Sequence, residues 1–251
     1  MSALRGNRFA LSGVEGPPSL SAVRDTIINC EACPRLRSYC KEVGRIRKAA
    51  YRNDVYWARP VPGFGDPKAR VLIVGLAPAA HGANRTGRIF TGDGAGASGD
   101  FLMAALNRAG FSNISTSQSV DDGLKLTDVY IAPAVRCAPP DNKPLPEEIT
   151  RCLPHLASEA AHLPNLQIVV ALGRIAWDAW LKLLAQRGVP IPRPRPQFAH
   201  GSVVHLHSGT QARHPGTLIG AYHPSRQNTN TGVLTPPMYD AVFRIVRRSL
   251  R

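Results

Sequence analysis

Cysteines and one glycine-rich loop carry the residue types best suited to chemistry in this 251-residue chain. Cys30 and Cys33 stand two residues apart, a spacing that lets two thiolates reach one metal from a tight turn, and Pro34 helps to fix that turn. Cys137 and Cys152 are separated by fourteen residues. Should the two pairs converge, four thiolates surround one site, and spacing does not separate zinc from an iron–sulfur cluster, since both accept four thiolates. A Cys-x2-Cys without a second pair is the simpler alternative. In a cytosolic chain a metal-binding or inert cysteine is more usual than a disulfide. Cys40 has no evident partner and reads as a small core residue or an exposed thiol.

Residues 71–93, VLIVGLAPAAHGANRTGRIFTGD, are the second focus. The β-branched run Val71–Val74 stops at Gly75, and the loop that follows puts backbone N–H groups at the carboxyl edge of a sheet, where open α/β folds bind ligands. No Gly-Lys-Ser/Thr follows the glycines, so the loop is not a nucleotide-triphosphate cradle. The G-x-G-x-x-G spacing of a dinucleotide site is absent too. The expected occupant is smaller than a nucleotide cofactor. Ala221-Tyr222-His223-Pro224-Ser225 follows the last predicted strand, so Phe90 and Asp93 of the loop can meet His223 at that edge, with Cys137, Asp141 and Asn142 nearby.

The elements that must position these residues alternate. Strands are predicted at 71–76, 128–135 and 167–173, with short ones at 202–207 and 216–221. Helical spacing covers 19–30, 98–110, 146–162, 174–187 and 236–250, with Pro154 expected to kink or split the third of these. Residues 41–70 read as an irregular basic connection and 188–200 as a proline-rich extended segment. Alternation of this kind implies a mainly parallel sheet with helices on both faces. The net charge of +14, from 31 Lys and Arg against 17 Asp and Glu, predicts a polyanionic partner, nucleic acid first. No apolar run approaches the ~18 residues of a membrane span, and the N-terminus lacks the apolar centre of a secretory signal. The cytoplasm, at a bacterial nucleoid, is the expected location.

Three motifs in order, GLAPAAHGANRTGRIFTGD, VRCAPPDNKP and HPSRQNTNTG, together with the cysteines, resemble the uracil-DNA glycosylase superfamily and within it family 5, the B-type enzymes of bacteria and archaea. The resemblance spans residues 25–250. It implies an α/β fold: a three-layer αβα sandwich around a four-stranded, mainly parallel sheet, as a single domain over 19–251 behind a flexible tail at 1–18. It implies a [4Fe–4S] cluster on Cys30, Cys33, Cys137 and Cys152. The partner implied is DNA containing uracil or other deaminated bases, acted on by a monomer in base-excision repair.

The same resemblance assigns roles. Phe90 stacks on the flipped base. His223 donates to the base oxygens, helped by backbone N–H groups at Gly75, Leu76 and Ala77 in the loop that includes Pro78. Asp93 orients water or stabilises positive charge on the sugar, with Asn142 as helper, and His81 can touch substrate or sugar. Ser225, Arg226, Gln227 and Asn228 enter the duplex. Arg85, Arg88 and Arg226 are phosphate ligands, with Arg193 and Arg195 as weaker ones. Two departures bear on chemistry. Leu76 stands where other family types keep a polar residue, which shifts the work to Asp93. Pro133 stands where uracil-strict relatives place an asparagine, so the expected specificity is broad and includes hypoxanthine and ethenocytosine. No lysine sits in the motifs where an amine nucleophile would be expected, so strand cleavage by such a nucleophile is not expected. His205 and His207 read as surface or packing residues, and Trp177 and Trp180 as core. The competing readings are a catalytically silent Fe–S protein that binds damaged nucleic acid, and a zinc-stapled RNA-binding or RNA-modifying protein.

Overall fold

Four apolar runs, each buried along its length, make the centre of the sheet. In the computed structural model, which describes residues 19–94, 96–206 and 215–250, the strands are β1 (Phe64–Gly65), β2 (Val71–Gly75), β3 (Val129–Pro133), β4 (Ile168–Leu172), β5 (Val203–His205) and β6 (Thr217–Ala221). The α-helices among the described residues are α1 (Leu20–Ile28), α2 (Pro34–Ile46), α3 (Ala83–Thr86), α4 (Ser98–Arg108), α5 (Pro146–Ala161), α6 (Arg174–Gln186), α7 (Arg226–Asn230) and α8 (Pro236–Ser249). The strand order is β1-β3-β2-β4-β6-β5. Pairings among β3, β2, β4 and β6 are parallel, while β1 on β3 and β5 on β6 are antiparallel.

Both faces of the parallel strands are covered, which is why they read as continuous apolar runs. Side chains alternate across the sheet. Val71, Ile73, Ile131, Val170 and Ile219 share one core with Leu102 and Leu106 of α4 and Val242 and Phe243 of α8. Leu72, Val74, Ala132, Val169 and Leu218 share the other with Leu153 and Leu156 of α5 and Trp177 and Trp180 of α6. A third, smaller cluster joins Cys33, Leu36 and Cys40 to Val135, Cys137, Ala138 and Cys152, docking α2 onto the segment after β3 and the start of α5.

Beneath that junction lies a buried ion pair. Arg136 and Glu159 approach to 2.7 Å with both side chains inaccessible, close but not aligned as a hydrogen bond. Glu159 Oε1 also accepts from the Gly63 N–H at 2.7 Å and the Tyr130 hydroxyl at 3.2 Å. One carboxylate therefore ties together the chain before β1, strand β3 and helix α5.

Several expectations need correction. Among the described residues the sheet has six strands rather than four; the four parallel strands form its centre, and short antiparallel strands cover both edges. Residues 41–70 are not wholly irregular, because α2 runs to Ile46 with Leu36, Arg37 and Cys40 on its buried face. Pro34 sits at its first turn, where proline's fixed φ suits a helix start. Pro154 neither splits nor ends α5; it stands exposed, where the carbonyl it leaves unpaired can meet water. The segment after His223 is the short helix α7 rather than a loop. Trp177 and Trp180 are buried, as expected, and His205 is exposed on β5. The tail at 1–18 and His207 lie outside the described residues. No helix among the described residues is long and apolar enough to cross a membrane.

Replacing Glu159 with alanine leaves Arg136 buried and uncompensated. We expect the unfolding free energy to fall by about 3–5 kcal/mol, read as a lower urea midpoint. Glu159→Gln keeps acceptors for Gly63 and Tyr130 and should lose less.

Candidate active site

The site is built at the carboxyl ends of β2 and β6. β2 ends at Gly75, and the missing side chain matters: a Cβ there would stand 3.0 Å from Cε2 of Phe90. The Phe90 ring thus lies on bare backbone. Phe90 itself has φ of 55°, a left-handed conformation that side-chain-bearing residues seldom adopt. Gly99 permits it, since a Cβ at that position would meet the Phe90 carbonyl oxygen at 2.2 Å. Across from Phe90 the His223 ring lies with centroids 5.8 Å apart and planes tilted by 30°.

Asp93 rests on a third glycine. A Cβ on Gly82 would come within 1.6 Å of Asp93 Oδ1, so the carboxylate occupies the space a side chain would fill. Burial raises the Asp93 carboxyl to about 6; the nearby Arg226 and Arg85 cations oppose that rise and Asp100 adds to it. Burial alone lowers His223 to about 4, so its imidazole is neutral near pH 7. Helix α7 holds the two turns together. Arg226 Nη2 donates to the Asp93 carbonyl at 3.0 Å, and Asn228 Nδ2 donates to the His223 carbonyl at 2.8 Å. Ser225 caps the helix by accepting from the Asn228 N–H at 3.3 Å, an interaction worth about 1 kcal/mol.

Phe90, Asp93 and His223 line one cavity of about 550 Å³, within the size range of small-ligand pockets. Leu76 and Ala77 form part of its wall, as do Asp141, Asn142, Ser225, Arg226 and Gln227. Asp141 and Asn142 have φ of 54° and 57°, consecutive left-handed residues without glycine. Such strain persists only where surrounding structure imposes it, and it clusters at functional sites. A second cavity of about 340 Å³ adjoins the first and shares Ala79, Asp93, Asp141 and Asn142 with it. His81 lines this second cavity rather than the first, with Nδ1 2.9 Å from the Tyr56 hydroxyl.

Not every expected site residue reaches a cavity. Gly75 acts through Phe90, and Pro78 and Asn228 stand outside both linings. Arg88 is buried, paired with Asp122 at 2.7 Å and hydrogen-bonded to Thr91 and Ser117, which leaves it no face for a phosphate. Arg85 is spent on Asp54 at 2.6 Å and on the Gly92 and His81 carbonyls. Both arginines brace the loop. Arg193 and Arg195 are exposed, and Arg195 lies 3.5 Å from Asp178. Gly82 and Gly99 escape sequence reasoning because a glycine's contact partner is invisible in the chain order. Asp141 was legible only as a neighbour of Asn142.

The cysteines gather on α2 and its contacts. Cys33, Cys137 and Cys152 are buried in one cluster, and Cys30 acts electrostatically on both Cys33 and Cys152. All are free thiols, so four soft donors of the type an iron–sulfur cluster takes converge on one region. Among the described residues no three His, Cys, Asp or Glu side chains close in around a single ion. A four-iron cube carries each ligand on a separate corner and spreads its thiolates wider than one ion does. In type and number the cysteines fit such a group. Cys40, neither exposed nor isolated, is buried beside Cys137 and directs its thiol to the Ala138 carbonyl at 3.7 Å.

Residues 62–247 match the family model of the uracil DNA glycosylase superfamily. The chain is 49% identical over 223 residues to the type-5 uracil-DNA glycosylase of Thermus thermophilus, covering 89% of this chain and 94% of that one. It is 46% identical over 239 residues to the type-5 enzyme of Mycobacterium leprae, covering 95% and 98%. It is 45% identical over 218 residues to the type-5 enzyme of Pyrobaculum aerophilum, covering 87% and 88%.

A methyl group on Gly82 must push the Asp93 carboxylate out of its niche, and because the clash is with a side-chain end the fold should survive. In Gly82→Ala we expect the Asp93 titration, followed by carboxyl NMR shifts, to move down from about 6 toward the ordinary aspartate value. An unmoved titration would show that Gly82 does not set the environment of Asp93.

Proposed function

The chain belongs to family 5 of the uracil-DNA glycosylase superfamily, and we propose that it is a monofunctional DNA glycosylase, hydrolysing the N-glycosidic bond of uracil and other deaminated or modified bases flipped out of DNA. The observation that carries this reading is the single cavity lined by Phe90, Asp93 and His223. Cleavage passes through a sugar with oxocarbenium character and a base that leaves as an anion. The base must first leave the helical stack. Phe90 offers the flipped base a flat apolar face. Neutral His223 donates one hydrogen bond to a base oxygen, where negative charge builds up as the bond breaks. The Leu76 and Ala77 N–H groups, which donate to no other described residue, add to that stabilisation.

Asp93 meets the other half of the charge separation. As a carboxylate in a poorly hydrated site it faces the sugar cation at high effective strength, and it can orient the attacking water. Asn142, held in its left-handed conformation, aligns that water or the sugar. Pro133 brings no side-chain amide to read a pyrimidine edge, which supports a tolerance that extends to hypoxanthine and ethenocytosine. Ser225 to Asn228 enter the duplex as a polar wedge from α7, with Arg226 toward phosphate. We further propose that the protein acts as a monomer in the cytoplasm. Cys30, Cys33, Cys137 and Cys152 would hold a [4Fe–4S] cluster, which supplies a cross-link between the N-terminal helices and the sheet.

Release of free base from a uracil-containing duplex, leaving an intact but alkali-labile strand, tests the activity; duplexes with hypoxanthine and ethenocytosine test its breadth. Asp93→Asn should lower the single-turnover rate by about 10²–10⁴-fold while duplex binding persists. Equal rates for the variant and the parent would end the assignment.

The pH profile follows from the same residues. Asp93 works as its anion, so the rate should rise with pH through about 6 and plateau above it. His223, already neutral above about 4, should add no limb between pH 5 and 8.

Purified without chelators, the protein should carry about four irons and absorb in the visible region. Cys152→Ser should lose both, and zinc in place of iron would refute the cluster.

A further inference from the structure

We propose that the second cavity seats a DNA phosphodiester next to the target nucleotide, with Lys48 as its cation. The inference rests on the glycosylase reading and adds a contact to it. The two cavities differ in character. The first is walled by Phe90, Ile89, Ala83 and Ala97, and suits a base. The second is walled by Tyr39, Lys48, Tyr51 and His81, and suits a polar group. They communicate across Ala79, Asp93, Asp141 and Asn142. With a base against Phe90 and its sugar within reach of Asp93, the glycosidic bond lies at that shared wall. The next group along the strand is a phosphate, and the space beyond the wall is the second cavity.

Lys48 is the lysine or arginine in the lining of that cavity, beside the carboxylates of Asp93 and Asp141. No ion pair engages it among the described residues, whereas Arg85 and Arg88 each hold an aspartate. Its ammonium lies 6.0 Å from the Tyr51 ring centroid, and that ring is itself fixed by the Arg85 guanidinium at 4.0 Å. The Tyr56 hydroxyl occupies His81 Nδ1, and Nε2 makes no hydrogen bond to a described residue. A phosphate oxygen can take a hydrogen bond from it. Asp93 and Asp141 face the same space and repel an anion, so a phosphate enters only where a cation offsets them. Lys48 lines that cavity and not the first, so its charge is available on the second cavity's side. Lys48 and Tyr51 bring the basic stretch RIRKAAYR, residues 45–52, to this cavity, while Arg45, Arg47 and Arg52 stand outside its lining. Of these, Arg45 is paired with Glu42 at 2.7 Å.

The test is binding of the whole protein to a uracil-containing duplex across a salt series. Lys48→Gln should weaken binding about tenfold at low salt and reduce the slope of log Kd against log salt by about one. Lys68→Gln, at the opposite end of β2, should match the parent protein. The loss should fall on Kd more than on the single-turnover rate. A methylphosphonate at one linkage flanking the target nucleotide should abolish the difference between Lys48→Gln and the parent. An unchanged slope in Lys48→Gln, or a difference that survives a neutral linkage on either side, would overturn the proposal. Absence of base release by the parent protein, with the Lys48 effect intact, would sink the glycosylase reading and leave the phosphate contact standing.

Discussion

Asp93 is partly withdrawn from water because the chain provides no side chain at Gly82, and its carboxylate fills the gap. The rest of the site follows from that contact. A carboxylate pressed on backbone loses hydration, and the loss raises its proton affinity. Arg226 and Arg85 hold the rise in check, so that the group is ionised near neutral pH but remains poorly solvated. Reduced solvation is useful here, because a charge that water screens less acts more strongly on a neighbouring cation. The opposing wall obeys the same logic with the opposite sign. Burial drives His223 to neutrality, leaving a directed N–H in place of a diffuse positive charge.

Glycine recurs as the means of placement. Phe90 lies on Gly75 and directs its carbonyl at Gly99, while Asp93 lies on Gly82. The contacts at Gly75 and Gly82 bring a side chain within van der Waals distance of main chain and hold it without a hydrogen bond of its own, while Gly99 makes room for the Phe90 carbonyl. Hydrogen bonds instead secure the frame around them. Arg85 and Arg88 tie the 81–92 loop to Asp54 and Asp122, and Arg226 and Asn228 tie α7 to the turns that carry Asp93 and His223. Much of the arginine excess near the site is therefore structural, and a large net charge does not by itself say which cations face a ligand.

The centre of the sheet was legible in the chain because doubly covered parallel strands must be apolar throughout; β2, β3, β4 and β6 fall within a few residues of their expected ends. Helices α4, α6 and α8 were legible from their periodicity for the same reason. Helix α2 was not, because its buried stripe is short and its remaining face is basic, so charge and prolines further along dominate the pattern. The edge strand β1, two residues long, carries no period to detect. At the site, Phe90, Asp93, Asn142 and His223 were found through motif likeness and do share one cavity. Arg85 and Arg88 were misplaced because their partners Asp54 and Asp122 lie about thirty residues away in sequence, beyond any local signal. Lys48 and Tyr51 were passed over because nothing near them in sequence resembles a site.

The two antiparallel edge strands bear on how such a molecule survives in a crowded cell. β1 spans two residues and β5 three, so each border of the sheet offers few unpaired amides to another chain. Long, flat borders recruit neighbouring strands and seed aggregates. Blunt margins let copies of this chain meet one another without sticking.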